Sequence, residues 1–302
     1  MNLETCLGKL ILPNPVMVAS GTYGWGEEAV SLLDLDQLGA FVTKTVTLKP
    51  RLGNPPPRIW ETPAGLLNSI GLQNEGLKVF LKKALPIFER FRVPLIVSIA
   101  GESVEEYLAL AEALGDEHRV NALEINVSCP NVKEGMLFGT SPRLTAELVR
   151  TLRRATSKTL IVKLTPNTGE IKEVAQAAEN EGADALSLVN TFLGMAIDLR
   201  TRRSRLSTLF GGLSGPAIKP LALRYVFEVY RTVKVPIIGM GGITSGEDAL
   251  EFIIAGASAI AVGSASFRRP NAPLQVLREL TSLFEELGVK SLKEIKGSFQ
   301  YE

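Results

Sequence analysis

The feature that most restricts the fold of this chain is an alternation of short β-branched runs with longer stretches of helical period. Each run is nearly continuous in Val, Ile, Leu and Ala, which is typical of strands in a parallel sheet covered by helices. Eight such units in 302 residues predict a (β/α)8 TIM barrel, with a doubly wound open sheet as the alternative. The predicted strands span 15–20, 40–46, 94–100, 122–128, 159–165, 185–190, 235–242 and 259–262.

The stretches between the strands carry helix start and stop signals. Ser103 precedes Glu106 by three residues at the start of "SVEEYLALAEAL", which is the spacing of a capping box. The stretches "AENEGAD" and "FIIAGAS" each end a predicted helix with Gly, which accepts the left-handed backbone of a C-cap before the next strand.

Two connections are too long for ordinary βα loops. They span about 47–74 and 191–215, and each follows the C-terminal end of a predicted strand, where barrel enzymes carry their chemistry. No repeat or low-complexity tract divides the chain. We therefore expect residues 1–302 to form a single barrel domain with inserted loops at its C-terminal face.

The charge balance excludes broad electrostatic binding to nucleic acid. Lys and Arg total 33 and Asp and Glu total 32, so the net charge is +1. The densest basic cluster is "RTRRSRL" at 200–206, which fits either a solvated loop or an anion or partner contact.

The cysteine count and the hydropathy pattern indicate a cytoplasmic enzyme. The chain has two distant cysteines and one histidine, His118, so neither a disulfide framework nor a metal site is expected. No stretch reaches the roughly 18 apolar residues of a membrane span, and "MNLETCLGKLILPNP" lacks the pattern of a signal peptide.

Polar side chains occupy the ends of the predicted strands, where an apolar residue would be the structural default. Two of them are lysines in otherwise apolar strands, Lys44 in "VTKTV" and Lys163 in "IVKLT". A buried lysine is costly without a negative partner. Each lysine is therefore expected either to pair with a carboxylate or to face an anionic ligand. The strand-end set is Ser20, Lys44, Ser98, Asn126, Cys129, Lys163, Asn190, Thr191, Gly241, Gly242, Gly263 and Ser264.

Two further stretches indicate ligands of particular chemistry. "GMGG" and "AVGS" end the last two predicted strands, where barrels often bind a phosphate through backbone N–H groups. The long loop "LLNSIGLQNEG" at 66–76 carries amides that can donate and accept at once, which suits a planar ligand with imide and carboxylate edges. Asn74 in this loop also fits a turn leading into the next helix.

Cys129 lies in "EINVSCPNVKEG", directly after the fourth predicted strand. Since neither a disulfide nor a metal site is expected, a thiol on a loop at the barrel mouth is either a catalytic group or a buried packing group. Cys6, on an N-terminal turn, is predicted to be structural.

Over essentially its whole length the chain resembles the class 1 dihydroorotate dehydrogenases. The matching stretches include "NPVMVASGTYGWGEE", "VTKTVTLKPRLGNPPPR", "GLLNSIGLQNEG", "EINVSCPNVKEG", "GGLSGPAIKP", "IIGMGGI" and "AVGSASF". The stretches "NPPPR", "IGLQNEG" and "CPNVKEG…FGT" resemble subclass B, whose catalytic subunit works with an electron-transfer subunit.

The resemblance implies a site for FMN and a site for dihydroorotate. Ser98 stands where members often carry Asn, which leaves its contact with the flavin open. The implied FMN contacts are Ser20, Lys44, Thr45, Ser98, Asn126, Lys163, Val189, Gly215, Gly241, Gly242, Gly263 and Ser264. The implied substrate contacts are Lys44, Asn68, Ser69, Ile70, Gly71, Leu72, Asn126, Asn190 and Thr191.

The resemblance also implies the reaction, oxidation of (S)-dihydroorotate to orotate in de novo pyrimidine (UMP) biosynthesis. Cys129 would take the C5 proton, FMN would take the hydride, and Lys163 would place positive charge near the flavin. The chain has no nicotinamide fingerprint or cysteine cluster, so a partner subunit with FAD and a 2Fe-2S cluster would carry electrons to NAD. A homodimeric core within a heterotetramer is the implied assembly.

Three other functions remain open at this point. They are a fumarate-using subclass A homodimer, a non-catalytic FMN-binding subunit, and a dihydrouridine synthase. The last is disfavoured because the chain lacks a basic surface and an RNA-binding domain.

Overall fold

The computed structural model describes residues 2–128, 130–131 and 136–301. Its strands are β1 (Thr5–Leu7), β2 (Leu10–Leu12), β3 (Val16–Val18), β4 (Phe41–Val42), β5 (Ile59–Thr62), β6 (Gly65–Asn68), β7 (Leu95–Ile99), β8 (Ala122–Asn126), β9 (Pro130–Asn131), β10 (Met136–Leu137), β11 (Thr159–Lys163), β12 (Ala185–Leu188), β13 (Phe192–Gly194), β14 (Ile197–Asp198), β15 (Arg203–Ser204), β16 (Gly211–Ser214), β17 (Ile237–Met240) and β18 (Ala259–Val262).

Helices follow most barrel strands and cover the outside of the sheet. The second barrel helix changes from α-helix to π-helix (Phe80–Ala84) and then to 3-10 helix (Leu85–Arg90). None of the helices in the described part of the chain has both the length and the apolar character needed to cross a membrane. The α-helices are α1 (Ala29–Leu32), α2 (Leu77–Val79), α3 (Val104–Gly115), α4 (Pro142–Ala155), α5 (Ile171–Asn180), α6 (Lys219–Tyr230), α7 (Gly246–Ile254), α8 (Ala265–Arg268), α9 (Ala272–Glu286) and α10 (Leu292–Ile295).

Eight strands form one parallel sheet in the order β3-β18-β17-β12-β11-β8-β7-β4. A parallel bridge between Met17 and Ala40 joins the two end strands, so the sheet closes on itself. All eight predicted strands are present at their predicted places, and the (β/α)8 barrel is confirmed over the open sheet.

Side chains alternate between the barrel interior and the helices outside. Along β8, Leu123 and Ile125 belong to the large core shared with the helices, whereas Ala122 belongs to a second cluster inside the barrel. The hairpin of β1 and β2 covers the N-terminal end of the barrel by adding Leu7, Leu10 and Leu12 to that interior cluster.

The predicted helix signals are present with one difference. Ser103 caps α3 by accepting the Glu106 N–H at 3.4 Å, but the Glu106 carboxylate accepts from Glu102 N rather than from Ser103. The capping box predicted there is thus only half formed; a complete one joins Ser245 and Asp248 at α7. The helix-ending glycines Gly182 and Gly256 have φ of +96° and +120°, as expected for C-caps.

The two long connections were expected as loops, but they pair with each other. Strands β5 and β6 from the first insertion and β13 and β16 from the second form a four-stranded antiparallel sheet in the order β13-β16-β6-β5. We call this sheet the roof, since residues from it line the cavity at the C-terminal end of the barrel.

Arg119 joins several segments at the N-terminal end of the barrel. Its guanidinium donates to the carbonyl oxygens of Phe88, Phe91 and Val93 at 2.6–3.2 Å and to the Asn121 side chain at 3.1 Å. Asn121 in turn accepts the backbone N–H of Leu95, the first residue of β7. Arg119 therefore holds the segment that leads into β7.

We expect Arg119→Met to lower the free energy of unfolding by about 2–3 kcal/mol, because three partly buried carbonyl groups lose their charged donor. Arg92→Met is the matched control. The Arg92 side chain is 93% exposed and lies 3.7 Å from Asp36, so its loss should cost about 0.5 kcal/mol or less. Urea-induced unfolding measures both, and equal effects would contradict this role of Arg119.

Candidate functional site

A cavity of about 590 Å³ opens at the C-terminal ends of the barrel strands, under the roof. This is the end at which barrel enzymes place their active sites. Three cationic side chains line it, those of Lys44, Arg58 and Lys163, and none of its described lining residues is acidic. The cavity therefore suits an anionic ligand.

The cavity brings together almost all the residues predicted for the site. Ser98 is the exception among the described residues, and Cys129 lies outside the described residues. The predicted residues that line the cavity are Ser20, Lys44, Thr45, Asn68, Ser69, Ile70, Gly71, Leu72, Asn126, Lys163, Val189, Asn190, Thr191, Gly215, Gly241, Gly242, Gly263 and Ser264.

Ser98 lies one layer below the cavity. It is fully buried, and its hydroxyl is 3.0 Å from the Thr45 hydroxyl, which does line the cavity. A direct contact between Ser98 and the cofactor stays a prediction. The hydrogen bond connects Ser98 to the cavity lining through Thr45.

Lys163 forms part of the cavity floor. Its ammonium donates to the Ser20 hydroxyl at 2.9 Å and lies 3.7 Å from a carboxylate oxygen of Glu124. The expectation of a carboxylate partner is therefore confirmed for this lysine. Lys163 also lines the cavity, and an anionic ligand at that side stays a prediction.

Lys44 differs from Lys163 in having no carboxylate within 4.0 Å among the described residues. Burial, together with the nearby Arg58 guanidinium, lowers the pKa of Lys44, and the more distant Glu28 opposes that effect. Arg58 is anchored by the Asn54 carbonyl and the Gln73 side chain. Two cations thus share one side of the cavity, which fits the expectation that Lys44 faces an anionic ligand.

A network of amides lies at the ends of β8 and β12. Asn190 donates to the Asn126 side chain at 3.3 Å and to the Ser128 hydroxyl at 2.8 Å, and it accepts the Thr191 N–H at 2.9 Å. These bonds fix the orientation of both amides at the cavity wall.

The glycines after β17 allow the backbone itself to line the cavity. Gly241 and Gly242 have φ of +121° and +80°, and a Cβ on Gly242 would lie 2.8 Å from Lys219 Cβ. Their main chain therefore lies directly between the cavity and α6, with no room for a side chain at Gly242. Phosphate binding at this corner stays a prediction.

The loop after β6 carries both ligand-facing and structural polar groups. The Ser69 hydroxyl is buried and has no hydrogen-bond partner within the described ranges of the chain, although Ser69 lines the cavity. Asn74 instead serves the loop: its side chain accepts from Thr47 N and Gly76 N and donates to Leu72 O. The interpretation of Asn74 as part of a turn is thus confirmed.

The basic cluster at 200–206 belongs to a surface hairpin. Arg205 pairs with Asp198 and lies over the Trp60 ring at 4.4 Å. None of the residues 200–206 is among those lining the cavity, which favours the structural interpretation.

Two site residues were missed by reasoning from the sequence. Arg58 lies within the quoted "NPPPR" but was given no role, and its position depends on the pairing within the roof. Glu124 stands in the apolar run "ALEIN". A carboxylate in such a run, two residues before Asn126 and thus on the same face, was the available signal.

The fold and the site together define a barrel enzyme with a cationic, amide-lined ligand cavity. The chain belongs to the dihydroorotate dehydrogenase family, whose model matches residues 2–284.

Relatives from bacteria cover nearly the whole chain. The chain is 51% identical to a protein of Thermoanaerobacter sp. over 99% of both chains, 52% identical to one of Pelobacter propionicus over 97% of both, and 53% identical to one of Desulforudis audaxviator over 96% of this chain and 94% of that one. All three are named dihydroorotate dehydrogenase B (NAD(+)), catalytic subunit.

A solved structure has the same fold. The dihydroorotate dehydrogenase of Eimeria tenella, crystallised with ferulenol, superposes with a TM-score of 0.82 at 24% identity and covers 98% of this chain and 88% of that one.

We expect Lys44→Met to make the ligand-free protein more stable at neutral pH, because it removes a partly desolvated cation next to Arg58. With its pKa lowered on folding, Lys44 binds its proton more weakly in the folded state, so wild-type stability rises as the pH climbs through that lowered pKa. The advantage of the variant should therefore shrink toward alkaline pH. Thermal unfolding between neutral and alkaline pH measures this, with exposed Lys78→Met as control; a variant less stable than wild type at neutral pH would refute the argument.

Proposed function

We propose that this chain is the FMN-dependent catalytic subunit that oxidises (S)-dihydroorotate to orotate in de novo pyrimidine biosynthesis. Membership of the family and the names of relatives with about half of their residues identical support this. The observation that carries it is the cavity, which gathers the described residues implied for cofactor and substrate with the exception of Ser98.

The residues present fit FMN. Lys163 and Asn126 would face the flavin ring, and the backbone of Gly241, Gly242, Gly263 and Ser264 would hold the phosphate. When bound, FMN supplies the acceptor for the hydride that leaves C6 of the substrate. The cationic lining of the cavity supports this assignment, since the phosphate and the substrate carboxylate both bring negative charge.

The substrate would be oriented by the amides and by Lys44. Asn68, Asn126 and Asn190 can donate to carbonyl oxygens and accept from imide N–H groups. The Lys44 ammonium, which has no carboxylate within 4.0 Å among the described residues, would bind the substrate carboxylate. The Ser69 hydroxyl, which has no hydrogen-bond partner in the described part of the chain, would make a further hydrogen bond.

Cys129 would act as the base. It follows β8, whose end carries Asn126, and in this assignment it takes the proton from C5 while the neighbouring carbonyl, held by amide donors, carries the developing charge. Loss of that proton and of the C6 hydride creates the C5–C6 double bond of orotate.

Cys129→Ser should keep FMN and orotate binding but lose most turnover near neutral pH, at least about 100-fold, because a hydroxyl is a far weaker base. The control is Cys6→Ser, since Cys6 is exposed on β1 at the far end of the barrel. Steady-state oxidation of dihydroorotate with a dye acceptor measures both. Full turnover in Cys129→Ser would reject the assignment of the base.

The electron acceptor would be NAD, reached through a second subunit with FAD and a 2Fe-2S cluster, in a cytoplasmic heterotetramer built on a homodimer of this chain. Support comes from the names of the relatives, which describe a catalytic subunit of an NAD(+) enzyme. The absence of a nicotinamide fingerprint from the sequence agrees with it.

In the chain purified alone, dihydroorotate should bleach the bound FMN, but NAD should not be reduced. In the chain purified with its associated subunit, dihydroorotate should both bleach the FMN and lead to reduction of NAD. Flavin absorbance and NADH formation report the two steps separately. Rapid turnover of the isolated chain with fumarate would indicate the subclass A reaction instead, and no bleaching would indicate a non-catalytic subunit.

A further inference from the structure

Glu124 is the most unusual residue inside the barrel. Its side chain is 2% exposed, and the Lys163 side chain beside it is 6% exposed. Their strands are neighbours in the sheet, where Glu124 pairs with Ile161 and Asn126 pairs with Lys163. The two charges therefore lie at adjacent levels of the interior, with Glu124 further from the cavity.

The two oxygens of Glu124 have different surroundings. One accepts from the Ser187 hydroxyl at 3.2 Å. The other has no hydrogen-bond partner among the residues that the structure describes and lies 3.7 Å from the Lys163 ammonium, which donates to Ser20 instead. The contact between the two residues is thus mainly electrostatic.

Stability alone does not explain this arrangement. Burying a carboxylate and an ammonium costs several kcal/mol per ion, and a well-packed apolar pair is often as stable or more so. The neighbouring interior positions on β7 and β12 are filled by the neutral Ser98 and Ser187. We therefore look for the role of the Glu124 carboxylate in the cavity rather than in the stability of the barrel.

We propose that Glu124 is a positioning residue that holds the Lys163 ammonium at the cavity floor and offsets part of its charge, and so sets the preference of the site for oxidised or reduced FMN. This rests on the proposed function, in which Lys163 faces the flavin. Reduced FMN carries more negative charge than oxidised FMN. Without a compensating carboxylate, the positive charge of Lys163 would therefore favour binding of reduced FMN. The negative charge of Glu124 weakens that preference.

The test compares Glu124→Gln, Glu124→Asp and Ser187→Ala by redox titration of the FMN-loaded proteins. Glu124→Gln keeps the shape but removes the charge, so the affinity ratio of reduced to oxidised FMN should rise about tenfold. For a two-electron couple that ratio corresponds to a midpoint potential about 30 mV more positive.

The other two variants separate charge from structure. Glu124→Asp keeps the charge but moves it one methylene further from Lys163, so we expect a smaller shift of the midpoint potential with the same sign. If Glu124→Gln does not fold, the potential of Glu124→Asp is the test. Ser187→Ala removes a hydrogen bond of Glu124 but no charge, so its potential should equal that of wild type. Lower stability in all three variants with an unchanged potential would overturn the proposal and leave Glu124 a purely structural role.

The same experiment distinguishes a failure of this proposal from a failure of the proposed function. Wild-type protein that binds no FMN, or whose FMN is not reduced by dihydroorotate, would contradict the proposed function. Wild-type protein that passes both tests, with an unchanged potential in the Glu124 variants, would contradict only the role of Glu124.

Discussion

Parallel hydrogen bonding of eight strands into a closed sheet sends every second side chain into a narrow interior without bulk water. At the N-terminal end this interior is filled by small and branched apolar residues such as Ile96 and Ala122. Toward the other end the same alternation presents Glu124, Asn126 and Lys163. The geometry that makes the barrel stable therefore also fixes where polar groups can stand, and each of them depends on its neighbours for compensation.

The roof completes the site from the other side. Its two halves come from insertions after the second and sixth barrel strands, and β6 pairs directly with β16. It contributes Asn68 to the cavity, and Arg58, which directly precedes β5, also lines the cavity. Lys163 thus lines the cavity from the barrel strands, while Asn68 and Arg58 line it from the roof and the residue next to it.

Regular features of the chain were predictable from its sequence, because strand and helix periods, glycine C-caps and strand-end polarity are local signals. The eight strands, the single parallel sheet and the cavity residues on strand ends such as Asn126 and Lys163 follow from them. The pairing of the two insertions was not predictable, because it depends on contacts between residues far apart in the chain.

The same limit explains the differences at single residues. Ser98 is fully buried and contacts Thr45 rather than lining the cavity, a matter of depth that alternation along one strand does not reveal. The Glu106 carboxylate accepts the backbone N–H of Glu102 rather than that of Ser103, and the sequence does not distinguish between these two neighbouring donors. Arg58 became a cavity residue only through the fold of the roof.

The pairing of β6 with β16 joins positions nearly half the chain apart, from Leu66–Ser214 to Asn68–Gly212. Closing so long a loop costs more conformational entropy than joining two strands that are neighbours in the chain, so this pairing depends on the ordered strands that lie between β6 and β16. The roof has no strand in common with the parallel sheet. We therefore expect its amide hydrogens to exchange through local opening, faster than those of the barrel strands.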